Sequence, residues 1–121
     1  MKSKSIIQTK SFDFSIQIVK TYQKITDSKR EFILSKQLLR SGTSIGANIQ
    51  EAEHGQSIKD FIHKLSISRK EANETIYWLR VLSSTGYLNS NDSEDLINRC
   101  EELMRLLTSI IKTTKERNNL L

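Results

Sequence analysis

Ser41-Gly42-Thr43-Ser44-Ile45-Gly46-Ala47 sets six small residues around one isoleucine, and the architecture depends on whether this run is loop or helix. A phosphate-cradling loop needs a preceding strand and a Gly-Lys-Ser/Thr ending, but here Gly46 is followed by Ala47-Asn48. As helix, the run places Gly42 and Gly46 four apart on one face with Ala47 beside them, which lets a neighbouring backbone come close. Two interior glycines cost a helix about 1 kcal/mol each relative to alanine, so close packing has to offset them. The flanks favour helix, because Leu34, Leu38, Ile45, Ile49 and Ala52 repeat at helical spacing through the run.

Outward from this segment the chain continues in the same mode. It has 121 residues, no proline and four glycines, so long uninterrupted helices are expected. Ser28-x-x-Glu31, Ser57-x-x-Asp60 and Asn91-x-x-Glu94 each set an oxygen-bearing residue three before an acid, the pattern of a helix start. Gly55 and Gly86 fall where a left-handed closing residue is wanted. The spacing predicts helices over 11–26, 29–54, 57–84 and 92–116. The third stripe is Ile58, Phe61, Leu65, Ala72, Ile76, Leu79 and Leu82; the fourth is Leu96, Cys100, Leu103, Leu107, Ile110 and Ile111. Short connections between long helices imply antiparallel neighbours, hence an all-α, up-down-up-down four-helix bundle formed by one domain over 1–121. A short basic tail over 1–10 and a frayed tail over 117–121 flank it.

The first helix carries more apolar surface than one bundle needs. Phe14, Ile18, Tyr22 and Ile25 form one stripe, and Phe12, Ile16 and Val19 form a second about 130° around the cylinder at ~100° per residue. A wide core face is one reading. Burial of Phe12, Ile16 and Val19 against another copy of the chain is the favoured one, so a homo-oligomer is expected.

Polar residues suggest a seam between the second and third helices. Arg40, Ser44, Asn48 and Glu51 step along one helix, and Asp60, Lys64, Glu71, Glu74 and Trp78 along the next. Counted from the Gly55-Gln56 turn, Glu51 falls near Asp60, Asn48 near Lys64, and Arg40 near Glu71 and Glu74. An arginine between two glutamates can form charge-assisted pairs, with Trp78 as a lid whose indole N–H needs an acceptor. A solvated charged face, a structural network and a ligand site are the three readings, and the network is favoured.

The composition narrows the function classes. Hydrophobic residues make up 36% of the chain and charged residues 27%, the mean hydropathy is −0.47, and no run approaches the ~20 apolar residues of a membrane span. The N-terminal residues do not read as a signal peptide, so a cytoplasmic location is expected. The single cysteine, Cys100, lies on a core stripe and reads as a buried, inert thiol. Glu51-x-x-His54 and Asp60-x-x-His63 resemble di-metal pairs, but the first helix has no glutamate and the pairs sit at a helix junction, so no metal is expected. No nucleophile elbow, zinc-protease helix or dinucleotide fingerprint is present, and a non-enzyme without cofactors is expected.

Lysine and arginine outnumber acids 19 to 14, for a net charge of +5. Residues 1–30 hold seven basic and two acidic side chains, whereas the rest of the chain balances. Lys2 and Lys4, with Lys10, Lys20, Lys24, Lys29 and Arg30, can form a basic rim that attracts RNA or DNA phosphates, more strongly if repeated around an oligomer. A protein–protein scaffold with an incidental basic balance is the alternative. A small-molecule site at the polar seam is a third.

Four stretches carry a resemblance: Lys10-Ser11-Phe12-Asp13-Phe14, Gln37 through Ala52, Asp60 through Ile67, and Lys70 through Leu79. They resemble the small four-helix bundle proteins first noticed as reading frames inside intervening sequences of bacterial 23S rRNA genes. The resemblance covers nearly the whole chain, and Arg-Ser-Gly-Thr-Ser-Ile-Gly-Ala-Asn is its most specific part. It implies a bundle that assembles as a ring, typically a pentamer, with no established enzymatic activity. A related branch, the accessory variability determinant proteins of diversity-generating retroelements, forms basic pentamers that bind nucleic acid and a reverse transcriptase. Asn48, Glu51, Glu71, Glu74 and Trp78 match family positions.

Overall fold

Four helices run through the described residues, 5–121, of the computed structural model: α1 (Ile6–Lys24), α2 (Leu34–Glu53), α3 (Ile58–Ser84) and α4 (Ser90–Arg117). Lys2 and Lys4 lie outside the described residues. Antiparallel packing follows from which residues meet. A Cβ on Gly42 would fall 2.8 Å from Ile18, and one on Gly46 would fall 3.1 Å from Ser15 and 3.2 Å from the Ser11 carbonyl oxygen. Residue numbers thus rise on α2 as they fall on α1. The same reversal relates α2 to α3 through Ser41–Thr75 and Ser68–Ile45, and α3 to α4 through Ser93–Leu79 and Arg69–Thr108. α4 closes back on α1 more loosely than the consecutive pairs pack, and Lys10–Glu102 and Lys24–Asp92, both 3.2 Å, bridge that seam.

The Ser41–Ala47 run is helical throughout. Its glycines let α1 lie against the α2 backbone, with Ser11 and Ser15 as the small residues on the opposing face. The core holds Phe14, Ile18 and Ile25 from α1 and its extension, Leu38, Ile45 and Ile49 from α2, Leu65, Ala72, Leu79 and Leu82 from α3, and Leu96, Cys100, Leu103, Leu107 and Ile111 from α4. On α3 the inward stripe differs from the expected one. Ile58 is 44% exposed, while Ile62, Ser68 and Thr75 are buried, because the stripe that faces the two neighbours of α3 also admits hydroxyls that bond across helices. Ser68 Oγ donates to the Ile45 carbonyl at 2.8 Å and Thr75 Oγ1 to Ser41 Oγ at 3.1 Å, so neither burial leaves a polar group unpaired.

Several helix ends correct the sequence reading. α1 starts at Ile6 instead of 11: Ser5 and Gln8 form a reciprocal capping box, so Ile6–Lys10 is helix and not tail. α1 runs on into a π-turn, Ile25–Lys29, and Arg30 then turns left-handed with φ 55°. Ser28 therefore caps nothing; its hydroxyl donates back to the Lys24 carbonyl at 2.7 Å. Glu31 takes the role instead, accepting the Ile33, Leu34 and Ser35 amides at 3.0, 2.9 and 2.8 Å, and α2 begins at Leu34 instead of 29. α4 begins at Ser90 instead of 92, with Asn89 rather than Asn91 as its cap, accepting the Asp92 amide at 2.8 Å.

Ser57 caps α3 as expected through the Asp60 amide at 3.0 Å. Gly86, at φ 85°, closes α3 as expected. Gly55 has no such conformation; its constraint is space, since a Cβ would fall 2.9 Å from Asp60 Oδ2. At the C-terminus α4 ends at Arg117, Asn119 is left-handed, and the Leu120 amide donates to the Lys115 carbonyl at 2.8 Å.

Candidate functional site

The polar seam forms where α2 and α3 pack most extensively. Arg40 Nη1 donates to Glu71 Oε1 at 3.2 Å, and Nη2 to Glu74 Oε2. That same Glu74 oxygen accepts the Trp78 indole N–H at 3.0 Å. One guanidinium is thus held between two carboxylates one turn apart, with Trp78 fixing the second. The Arg40 side chain is 47% exposed, Glu71 21% and Glu74 38%, so the cluster is half-sheltered, between a solvated face and a buried network.

Glu51 makes a separate contact lower on the seam, accepting Lys64 Nζ at 2.8 Å. Hydrogen bonding to Glu51, then its charge, raises the Lys64 pKa above its ordinary value. The expected partners differ here: Lys64 meets Glu51 rather than Asn48, and Asp60 accepts the Gln56 amide at 3.3 Å instead of facing Glu51. Ser44 and Asn48 are not available across the seam, because they turn back on their own helix. Ser44 Oγ donates to the Arg40 carbonyl at 2.6 Å, and Asn48 Nδ2 to the Ser44 carbonyl at 2.8 Å. The seam is therefore two clusters, Arg40/Glu71/Glu74/Trp78 and Glu51/Lys64, and Ser44 and Asn48 join neither.

Glu51 and His54 line an open groove of about 660 Å³ at the α2–α3 turn, with Asp60 and Lys64. Among the described residues no group of three or more His, Cys, Asp and Glu comes together as metal ligands. Cys100 is buried, its thiol donating to the Ala72 carbonyl at 3.2 Å, and burial with help from the Glu101 charge pushes its pKa up to about 12. Such a thiol is a poor nucleophile.

The five cations of the expected basic rim are spread along α1 and its extension, from Lys10 near its start to Lys29 and Arg30 beyond its end, about 28 Å at 1.5 Å per residue. Lys10 and Lys24 are spent on Glu102 and Asp92. The Arg30 guanidinium sits 5.3 Å from the Phe32 ring centroid. Lys20 and Lys29 are exposed.

The second apolar stripe of α1 remains on the surface of the chain: Phe12 is 66% exposed, and Ile16 and Val19 are each 37% exposed. Phe12 borders a mostly apolar groove of about 390 Å³ between α1 and α2, floored by Ser11, Ser15, Gly46 and Ala47. The glycine contact that closes the helix pair thus also leaves a shallow slot beside the exposed phenylalanine. Among the described residues no helix is long and apolar enough to cross a membrane.

A search of curated proteins finds no match. Among solved structures, a crystal structure of a protein of unknown function from the S23 ribosomal protein family of Bacteroides thetaiotaomicron is similar over 88% of this chain and 99% of its own, at 50% identity and a TM-score of 0.87. The model of the 23S rRNA-intervening sequence proteins matches residues 3–109. With this match over most of its length, the chain belongs to the 23S rRNA-intervening sequence protein family.

Proposed function

We propose that the protein is a non-enzymatic bundle that associates with copies of itself, as a ring of five by family resemblance, and binds RNA or DNA, or a nucleoprotein partner, through its basic surface. The observation that carries self-association is the exposed stripe of Phe12, Ile16 and Val19. A side chain as large as phenylalanine left in water forgoes ~2 kcal/mol that a covering surface would recover. The slot next to Phe12 is the right scale for one such ring, so a copy that seats its own Phe12 there would bury both. Net charge +5 supports phosphate binding, with Lys20, Lys29 and Arg30 as the rim cations not held by carboxylates among the described residues. A cytoplasmic location belongs to this reading.

The experiment is a solution mass by light scattering, followed by the absorbance ratio at 260 and 280 nm of protein purified in low salt, before and after nuclease. A stable monomer would sink the assembly. Nucleic acid that stays bound undiminished from ~50 to ~200 mM salt would contradict phosphate contacts, whose affinity falls steeply over that range. A second reading, a protein–protein scaffold that does not bind nucleic acid, is favoured by the pairing of Lys10 and Lys24 with acids. It expects an oligomer with no copurifying nucleic acid.

A further inference from the structure

The charges of residues 31–121 cancel in sequence but separate in space. Residues 61–70 and 103–115 contain six lysines and arginines and no aspartate or glutamate, and antiparallel packing lays these segments side by side, as the Arg69–Thr108 bond shows. Of the neighbouring acids, Glu101 and Glu116 are exposed one turn from Arg105 and Lys112 on the same helix but form no ion pair among the described residues, and three others are turned elsewhere. Glu71 and Glu74 face α2 to hold Arg40, and Glu102 leans to α1 to meet Lys10. Lys64 alone is drawn to the α2 side by Glu51. Among the described residues Arg69, Lys70, Arg105, Lys112 and Lys115 have no carboxylate partner, and Lys70, Arg105 and Lys112 are exposed.

An aromatic ring stands on the same track. Tyr77 is seven residues from Lys70, two turns along one face of α3 and about 10 Å away. It is 59% exposed, and its ring packs edge-on against Trp78 with centroids 5.0 Å apart and planes at 76°. Trp78 is in turn fixed by Glu74, so an exposed phenol is held in place by the same cluster that ties α2 to α3. A cationic groove or track with a positioned aromatic is what single-stranded nucleic acid binds: phosphates follow the charges and a base stacks on the ring, without dependence on sequence.

We infer that the outer face of α3 and α4, from Lys112 and Lys115 through Lys70 and Arg105 to Tyr77, is a binding track for single-stranded nucleic acid. This rests on the nucleic-acid reading above but assigns the contact to a different face from the α1 rim. The probe is a fluorescently labelled oligo-uridylate, read by anisotropy over a series of salt concentrations. The triple variant Lys70→Glu/Arg105→Glu/Lys112→Glu is expected to bind at least about tenfold more weakly and to flatten the logarithmic salt slope by about 2. Tyr77→Leu is expected to weaken binding about tenfold with the slope unchanged, and Tyr77→Phe to bind like the parent. The charge-keeping variant Lys70→Arg/Arg105→Lys/Lys112→Arg should also bind like the parent, and circular dichroism on every variant separates loss of contact from loss of fold.

If the parent binds but only Lys20→Glu/Lys29→Glu/Arg30→Glu abolishes it, with the α3–α4 variants unaffected, this track is wrong and the nucleic-acid reading stands. Tighter binding of a duplex, with Tyr77→Leu silent, overturns the single-strand assignment. No binding by the parent removes both.

Discussion

At Arg40 about half of the side chain is still in water, 47% by exposure, yet its guanidinium spans Glu71 and Glu74. A half-sheltered pair of this kind is worth more than a surface ion pair and less than a buried one. Arg40→Ala is expected to cost about 1–2 kcal/mol in urea unfolding. Because Trp78 is the single tryptophan and its indole shares Glu74 with Arg40, its emission should shift to the red in the same variant. A loss below about 0.5 kcal/mol with unchanged emission would mean that the cluster is merely solvated. Cys100 gives a second test: with its pKa near 12, only about one thiol in ten thousand is ionised at pH 8. Native protein should therefore resist a disulfide reagent that labels the urea-unfolded chain within minutes.

Helix ends and helix contacts follow different rules here. Burial alone would raise the Glu31 pKa, but the Leu34, Ser35 and Ile33 amides it accepts outweigh that and hold it below its ordinary 4.5. A carboxylate lowered in the folded state stabilises it fully above the unfolded value, and that contribution is lost as pH falls through the native one. Glu31→Gln should therefore lower the urea midpoint at pH 7, with the two midpoints converging on acidification below about 4.5. As a helix cap, Glu31 should contribute about 1 kcal/mol. At Gly42 the contact dominates: a methyl group there would meet two Ile18 carbons at 2.8 Å, inside a core where Ile18 is fully buried. Gly42→Ala should destabilise by about 1–3 kcal/mol despite its better helix propensity. A stabilised variant would show that α1 can move away from α2 at little cost.

The whole molecule leaves Phe12, Ile16 and Val19 uncovered. Phe12→Glu/Ile16→Lys should leave the helical content of a chain intact while reducing its mass in solution to that of a monomer, since neither residue belongs to the core. An unchanged oligomer mass would move the interface elsewhere on the surface. Assembly driven by apolar burial should also survive high salt, conditions that strip phosphate contacts, so the two associations can be separated in one titration.

Helix number, antiparallel order and most of the core were legible in the sequence because apolar residues at a 3.6 period, with no proline to interrupt them, admit few other folds. The Arg40–Glu71–Glu74 meeting was legible for a similar reason: a short turn fixes which residues of two antiparallel helices lie level. Helix starts were less so. Ser28-x-x-Glu31 has the residue types of a cap, but whether its serine or its glutamate does the capping depends on the π-turn that Ile25 makes in reaching the core. Ser5-x-x-Gln8 and Asn89-x-x-Asp92 carried the signal of the other two starts.

Sequence by itself determined the bundle, a close helix approach at Gly42 and Gly46 and the surplus apolar stripe, since each follows from periodicity along a single rod; that α1 makes the approach came from the structure. Only the tertiary structure decided which charges are spent and which are free. Lys10 and Lys24 meet acids some 70 to 90 residues away, while Arg69, Lys70, Arg105, Lys112 and Lys115 on α3 and α4 have no carboxylate partner among the described residues. Coulomb interactions act through space, and a count along the chain averages what folding separates.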